Sequence, residues 1–337
     1  MQRFRAFRIH LEGGKVAARL ETIGLGDLGA GEVAGEEVVV KVSHSTINYK
    51  DALAATGAGK ILRKYPLVGG IDLAGEVVSS QHAAFKPGQK VLVNGCGLSE
   101  THDGGYAQYA RVPGEWVVPI PAGLSEFQCM AIGTAGYTAA LAIHRMEQNG
   151  QQPEGPDSGE IVVTGASGGV GSLAIDMLAG RGYRVVAVTG KPSSTAYLEQ
   201  LGAARVLLRE TINLGSRPLE EALWAGAIDN LGGDVLAWLT RTTKFWGNIA
   251  SIGLAASAEL KTTVVPFILR GVNLLGINSV FTPRPLRLAV WQRLASDLRP
   301  RHLDAIVTRT LSLDELPQAF EPYVKGQVTG RAVVRIG

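Results

Sequence analysis

Cysteine is nearly absent: Cys96 and Cys129 are the only two in 337 residues. Two isolated thiols make neither a disulfide framework nor the ligand set of a structural zinc site, and they suit a soluble protein in a reducing, cytoplasmic setting. Charge of one sign is also scarce. The formal balance is +3 with no dense Lys/Arg run, which argues against nucleic acid or a membrane surface as partner. Long hydrophobic runs are missing too. The longest uncharged stretch, 127–143, carries Gln128, Thr134, Tyr137, Thr138 and two glycines, so it reads as a buried helix rather than a bilayer span. Arg3, Arg5 and Arg8 alternate with Phe4, Ala6, Phe7 and Ile9, and no apolar run follows. That pattern predicts a first strand, not a targeting segment.

Glycine, by contrast, is abundant at 43 residues, as tight turns around a ligand require. The length allows two domains, each with its own core. From the start to the middle of the 120s, short alternating runs are broken by glycine and proline. Segments 37–43, 75–79, 89–93 and 106–112 read as strands, with a Pro87-Gly88 turn before the third, and predict a small barrel-like β domain. Within it, Ile47-Asn48-Tyr49-Lys50-Asp51 follows a strand and precedes a helical turn. Two readings stand side by side. Asn48 caps the helix with Asp51 favouring its dipole, or Tyr49 and Asn48 line a cleft as donors to a substrate carbonyl or a cofactor. His102-Asp103-Gly104-Gly105-Tyr106 reads as a capped polar loop in preference to an acid/base pair. Ser125 with Gln128 three residues on resembles a capping box that opens the buried helix, and 149–159 is a Pro/Gly/Gln-rich connector.

The rest of the chain is organised around Ile161-Val162-Val163-Thr164-Gly165-Ala166-Ser167-Gly168-Gly169-Val170-Gly171. A β-branched run ends in a glycine cluster, and an apolar face at helical spacing follows (Val170, Leu173, Ala174, Met177, Leu178). Strand, tight turn and helix in that order present a helix N-terminus to a phosphate, although Ala166 stands where a strict G-x-G-x-x-G has its first glycine. Strands then alternate with helices: strands at 184–188, 205–208, 227–233, 246–253 and 275–279, and helices at 194–201 and 286–298. Such alternation predicts a doubly wound parallel sheet with ligands at the carboxyl ends of its strands. Short strands at 308–313 and 331–336 return to the β domain. The fold class is α/β, a Rossmann-type sheet inserted in a β-barrel domain, with parts at 1–129, 130–275 and 276–337. Thr189-Gly190-Lys191 occupies the place where an NAD site carries a carboxylate for the ribose 2′-hydroxyl. Lys191 can pair with a 2′-phosphate and Thr189 can hydrogen-bond it, which predicts NADPH.

At this point several stretches together resemble a known family. They are Asn48-Tyr49-Lys50-Asp51-Ala52-Leu53-Ala54, Gly70-Ile71-Asp72-Leu73-Ala74-Gly75, His102-Asp103-Gly104-Gly105, Ile132-Gly133-Thr134-Ala135-Gly136-Tyr137-Thr138, residues 163–171, and Pro266-Phe267-Ile268-Leu269-Arg270. The chain resembles the zinc-free, quinone-oxidoreductase-like branch of the medium-chain dehydrogenase/reductase superfamily, and within it the NADPH-dependent acryloyl-CoA reductase group. The resemblance implies a GroES-like β domain and a Rossmann domain. It implies that Ser167, Gly168, Gly169 and Val170 hold the pyrophosphate, and that Thr189, Gly190 and Lys191 hold the 2′-phosphate. Tyr197 would lie near the adenosine, Asn230, Gly253, Leu254 and Ser279 would flank the cofactor, and Tyr49 would face the nicotinamide. The group usually has Arg in place of Lys191 and often Trp in place of Cys96. Zinc-dependent relatives have a cysteine and a Gly-His-Glu where this chain reads Asn48-Tyr49-Lys50-Asp51 and Gly70-Ile71-Asp72, so no metal is expected.

The leading expectation is reduction of a small 2-enoyl thioester, acryloyl-CoA to propionyl-CoA, with Tyr49 and Asn48 as candidate donors to the oxyanion. Arg284 and Arg287, in the polar start of the late helix, are candidates for CoA phosphates or, equally, for a solvated helix face. The alternatives are a quinone or enone oxidoreductase and a non-catalytic NADPH-binding protein. A homodimer is expected, paired through the last strand of the sheet.

Overall fold

The computed structural model describes residues 3–29, 36–154 and 158–337; part of the predicted connector, 155–157, lies outside them. The chain divides into two compact units, one formed by Met1–Thr134, Val280–Leu288 and Leu303–Gly337, the other by Ala135–Ser279 and Ala289–His302.

The first unit opens with β1 (Arg3–Glu12) and β2 (Lys15–Gly24), an antiparallel pair. The long β3 (Glu37–Ile47) follows, then α1 (Tyr49–Thr56), β4 (Leu67–Val68), β5 (Asp72–Ser80), β6 (Lys90–Asn94), β7 (Tyr109–Pro113) and β8 (Val118–Pro119). β3 runs four residues beyond its predicted end because three partners hold it: β5 and β7 along its length, and a C-terminal strand along Ile47–His44. Its alternating Val38, Val40 and Val42 pack with Leu73, Val91, Val93 and Tyr106 into one core. α2 (Glu126–Gln148) carries the Ser125/Gln128 capping box expected of it, with the Gln128 amide on Ser125 Oγ at 3.2 Å, and kinks at Gly133. No helix among the described residues is long and apolar enough to cross a membrane.

The second unit is built on β9 (Glu160–Thr164), α3 (Gly169–Gly180), β10 (Arg184–Thr189), α4 (Thr195–Gln200), β11 (Ala203–Leu208), β12 (Trp224–Asp229), α5 (Gly233–Thr242), β13 (Thr243–Ser251), α6 (Val265–Arg270) and β14 (Asn273–Gly276). The six strands are parallel in the order β11-β10-β9-β12-β13-β14. Chain order reverses between β9 and β12, which is where such a sheet opens a crevice for ligands. β14 starts two residues before the predicted 275–279 and ends three residues short of it. Its partner β13 stops at Ser251, opposite Gly276, so the ladder ends there.

α7 (Arg284–Leu294) buries Val290, Trp291 and Leu294 and half-buries Leu286. The chain closes with β15 (Val307–Ser312) and β16 (Arg331–Arg335), and β16 pairs with β3, which returns the C-terminus to the first unit.

Candidate cofactor and active site

In the second unit the glycine loop joins β9 to α3 at the crevice. Gly165 takes φ 57°, the left-handed conformation that lets the strand turn at once into the helix. A side chain at Gly171 would put its Cβ 2.5 Å from the Gly165 carbonyl oxygen and 2.6 Å from that of Ala166. Glycine is obligatory there, while Ala166 is buried without conflict and its amide bonds the Val188 carbonyl at 3.1 Å. The first intrahelical bond runs from the Ser172 amide to Gly168, so the amides of Gly169, Val170 and Gly171 precede the ladder. Close backbone, a glycine cradle and a helix N-terminus fit a dinucleotide pyrophosphate.

The walls of the crevice are fixed by buried hydrogen bonds. Thr164 Oγ1 donates to Asp229 Oδ1 at 2.7 Å and accepts from the Asn230 amide at 2.9 Å, and Asn230 Nδ2 donates to the Thr164 carbonyl at 2.7 Å. Asn230 Oδ1 is buried with no partner among the described residues, an acceptor left over for a ligand. Gly253 lies against the Asn230 carbonyl, and Leu254 beside it is 65% exposed, unusual for leucine. Ser279 accepts a 2.8 Å hydrogen bond from Thr138. At the end of β10, Thr189 Oγ1 is 3.4 Å from Ser167 Oγ and takes the Lys191 amide at 3.1 Å, which joins the glycine loop to the Thr189-Gly190-Lys191 turn. Burial lowers the Lys191 pKa, and it pushes the Tyr197 hydroxyl up to about 12.

In the first unit, α1 starts at the Asn48-Tyr49 step. Tyr49 is 46% exposed and its hydroxyl makes no hydrogen bond among the described residues. Asn48 is buried and fully engaged. Its amide nitrogen donates to Asp72 Oδ2 at 2.8 Å and Asp51 Oδ2 at 3.1 Å, its main-chain N–H donates to Asp51 Oδ2 at 2.8 Å, and its Oδ1 accepts from Arg331 at 3.1 Å. The two readings of this stretch therefore separate by residue: Asn48 stands at the N-cap position, where Asp51 takes its main-chain N–H while its own side chain serves Asp72, Asp51 and Arg331, and Tyr49 offers the free polar group. Asp72 also accepts from the amide and hydroxyl of Thr134, at 2.9 and 2.6 Å, and Asp51 from the Ile71 amide at 2.9 Å. Arg331 binds Thr46 Oγ1, the Ile47 carbonyl and the Ala131 carbonyl. Desolvation raises the Asp51 pKa to about 7 and also raises Asp72, while it lowers Arg331.

Three other expectations have plain outcomes. His102-Asp103 is a loop: Asp103 Oδ1 accepts the Val68 amide at 2.8 Å, and the His102 ring lies edge-on to Trp116. Arg287 is not available for CoA phosphates. It is 2% exposed, with its guanidinium on the carbonyls of Asn94 and Val280, so its place at the polar start of α7 misled. Arg284 is held by the carbonyls of Glu115 and Val117. Cys96 is buried at φ 55°, a strained conformation for a residue with a side chain. Sequence reasoning missed Arg331 altogether. The one signal was an arginine opening a terminal strand whose centre, Ala332-Val333-Val334, is apolar.

Residues 34–122 match the alcohol dehydrogenase GroES-like domain, and 169–295 match the zinc-binding dehydrogenase family. Despite that second name, Asn48, Ile71 and Asp72 stand where zinc ligands are expected, and no three His, Cys, Asp or Glu among the described residues gather to hold a metal. The chain is 46% identical to the acrylyl-CoA reductase AcuI of Ruegeria pomeroyi over 96% of both proteins. It is 45% identical to the Escherichia coli K-12 protein YhdH, solved with bound NADPH, with TM-score 0.93 over 98% of this chain and all of that one. YhfP of Bacillus subtilis, named a quinone oxidoreductase and solved with NAD, is 44% identical in the solved structure, with TM-score 0.94 over 99% of this chain and 100% of that one. Identity at this level over whole chains shows the family: this protein belongs to the zinc-free, quinone-oxidoreductase-like branch of the medium-chain dehydrogenase/reductase superfamily.

Proposed function

We propose that the protein uses NADPH to reduce the C=C bond of a small 2-enoyl thioester, with acryloyl-CoA to propionyl-CoA as the reaction. The observation that carries this reading is the near-full-length identity to an acrylyl-CoA reductase. The glycine cradle and the acid-free turn at Thr189-Gly190-Lys191 support the cofactor. Bound NADPH supplies a hydride for the β-carbon of the thioester. The chain's own part is then electrostatic. Ser167, Gly168, Gly169 and Val170 bind the pyrophosphate, Thr189, Gly190 and Lys191 bind the 2′-phosphate, and Tyr197, Asn230, Gly253, Leu254 and Ser279 line the dinucleotide. The exposed hydroxyl of Tyr49 donates to the thioester oxygen as negative charge builds on it, and solvent protonates the α-carbon. Asn48, with its amide committed to Asp51 and Asp72, holds the turn that presents Tyr49.

The test is NADPH consumption with acryloyl-CoA, crotonyl-CoA and a benzoquinone side by side. Acryloyl-CoA is expected to give the highest kcat/KM by at least about tenfold, roughly 1.4 kcal/mol of transition-state discrimination. A quinone turned over equally well would replace this reading with the quinone reductase that the name of YhfP favours.

The working form is a homodimer paired through β14. That strand is an open sheet edge, and the exposed Ile268 and Leu269 of α6 lie just before it in the chain. Light scattering that returned the monomer mass of 35.6 kDa would rule it out. The two buried free thiols suit the cytoplasm, which cell fractionation tests.

A further inference from the structure

A connection between parallel strands ordinarily lays a helix on the sheet. α3, α4, α5 and α6 do this for four of the five connections in the six-stranded sheet. The fifth, 209–223, runs from β11 at the sheet edge to β12 and holds a single 3-10 turn, Arg209–Thr211, with no α-helix. Its Gly215 and Pro218 oppose one. The sheet face beside this coil is only partly covered, and a groove of about 370 Å³ remains. That size suits a small molecule.

Leu207, Ile212, Leu223, Trp224 and Trp238 form its apolar walls. Trp224 is 3% exposed, yet its indole N–H has no hydrogen-bond partner among the described residues. A buried donor in that state is costly, and an acceptor brought by a ligand would satisfy it. Leu223, the next residue, is 37% exposed, apolar surface that the same ligand would cover. The two charged residues of the groove are spent on each other: Arg205 donates from Nε and Nη2 to the two carboxylate oxygens of Glu160, at 3.1 and 2.6 Å. Arg184, outside the groove, shares that carboxylate. The guanidinium of Arg205 lies over the Trp224 ring, with Cζ 5.8 Å from the centroid, and a plane fixed in this way stacks on aromatic rings. At the rim, Asn213 commits only its Oδ1, to the Gly215 amide at 3.0 Å, so its amide nitrogen is a second donor without a partner among the described residues. Free donors on apolar walls, with the lining charges already paired, ask for a neutral, flat ring system with acceptors on its edge.

We propose that this groove is a binding site for an uncharged aromatic heterocycle whose ring nitrogen or carbonyl accepts the Trp224 indole N–H. Glu160 and Trp224 open β9 and β12, whereas the glycine loop and Asn230 follow the other ends of the same strands, so the site is distinct from the cofactor crevice. It is independent of the acryloyl-CoA reading.

The probes are quinoline, which has an acceptor on its edge, and naphthalene, which has the same shape and none. Each is titrated into the protein saturated with NADPH, so that the cofactor crevice is filled. Binding is read from the indole N–H resonances of the five tryptophans in a heteronuclear correlation spectrum, with Trp224→Phe identifying the Trp224 peak. Quinoline is expected to move that peak downfield and to bind at least about fivefold tighter than naphthalene, the worth of one neutral hydrogen bond. In Trp224→Phe the two probes should bind alike. Leu223→Trp should fill the groove and weaken quinoline by at least about tenfold, with the NADPH Kd within about twofold of the wild type. A Trp224 peak that quinoline does not move would overturn the proposal and leave the N–H to the Trp238 ring, whose centroid lies 5.7 Å away. Equal affinity of the two probes for the wild type would overturn the hydrogen bond. Quinoline binding that survives Leu223→Trp unchanged would belong elsewhere in the molecule and overturn the site.

Discussion

The two loops that carry the proposed chemistry are built by opposite means. The loop after β9 contains nothing titratable. It offers backbone amides, a left-handed Gly165 and a Gly171 where any Cβ would collide with two carbonyl oxygens. The turn after β3 is held by three buried ionisable groups, Asp51, Asp72 and Arg331, with Asn48 bonded to all of them. A backbone cradle suits a ligand of fixed charge, because its dipoles are already oriented and need no proton. A charged cluster suits a turn that must hold one side chain, Tyr49, in one place. It is stable only while every member is present, since a single unpaired charge in the interior is costly. One loop therefore tolerates changes of charge but not of volume, and the other the reverse.

The largest expected effect is on the charged side. Arg331→Met removes the buried cation that acts on Asp72, strands the acceptors on Thr46, Ile47, Asn48 and Ala131 that it serves, and should destabilise the protein by about 3–5 kcal/mol, read by urea unfolding. Arg331→Lys should recover part of it. A loss under about 1 kcal/mol would mean that the cluster is not ionic. Next, Gly171→Ala adds only a methyl group, but against backbone that cannot yield. NADPH binding should weaken by about 30–100-fold, equivalent to roughly 2–3 kcal/mol of overpacking, and NADH binding equally, because the pyrophosphate is common to both. Unchanged affinity would show that α3 can shift, which would void the volume argument.

The smallest effect concerns protons. Asp51 has its folded pKa raised from 3.8 to about 7. Between those values the folded state keeps a proton that the unfolded state has released. Its contribution to stability is therefore full below the unfolded pKa and is lost as pH rises through the folded one. The loss runs through the interval from about pH 4 to 7, and the part still left above pH 6, about 1.4 kcal/mol, is complete by about pH 8. Asp51→Asn should flatten the unfolding free energy across that window relative to the wild type. An unaltered slope would place the titration on another group.

The same contrast governs what could be read in advance. The glycine loop was legible because its physical demands are local: close approach and positive φ select glycine at positions a few residues apart. The alternation of strands and helices around it was legible for the same reason. The charged cluster was not, because Arg331 and Asn48 are 283 residues apart and only β16 pairing with β3 brings them together. Asn48 was recognised both as a cap and as a donor, and it took its buried hydrogen bonds to choose between them. Arg287 shows the error in the other direction, as an arginine at a polar helix start that the fold buries on two carbonyls.

The division of labour between the loops is tested most directly in Tyr49→Phe, by measuring the NADPH Kd and the kcat/KM for acryloyl-CoA on the same preparation. Loss of one oxyanion donor is worth about 100-fold. The expected result is an NADPH Kd within twofold of the wild type and a kcat/KM lower by about that factor. A Kd that rises as far as kcat/KM falls, or turnover that does not change, would contradict the assignment of the hydrogen-bond donor to the turn after β3.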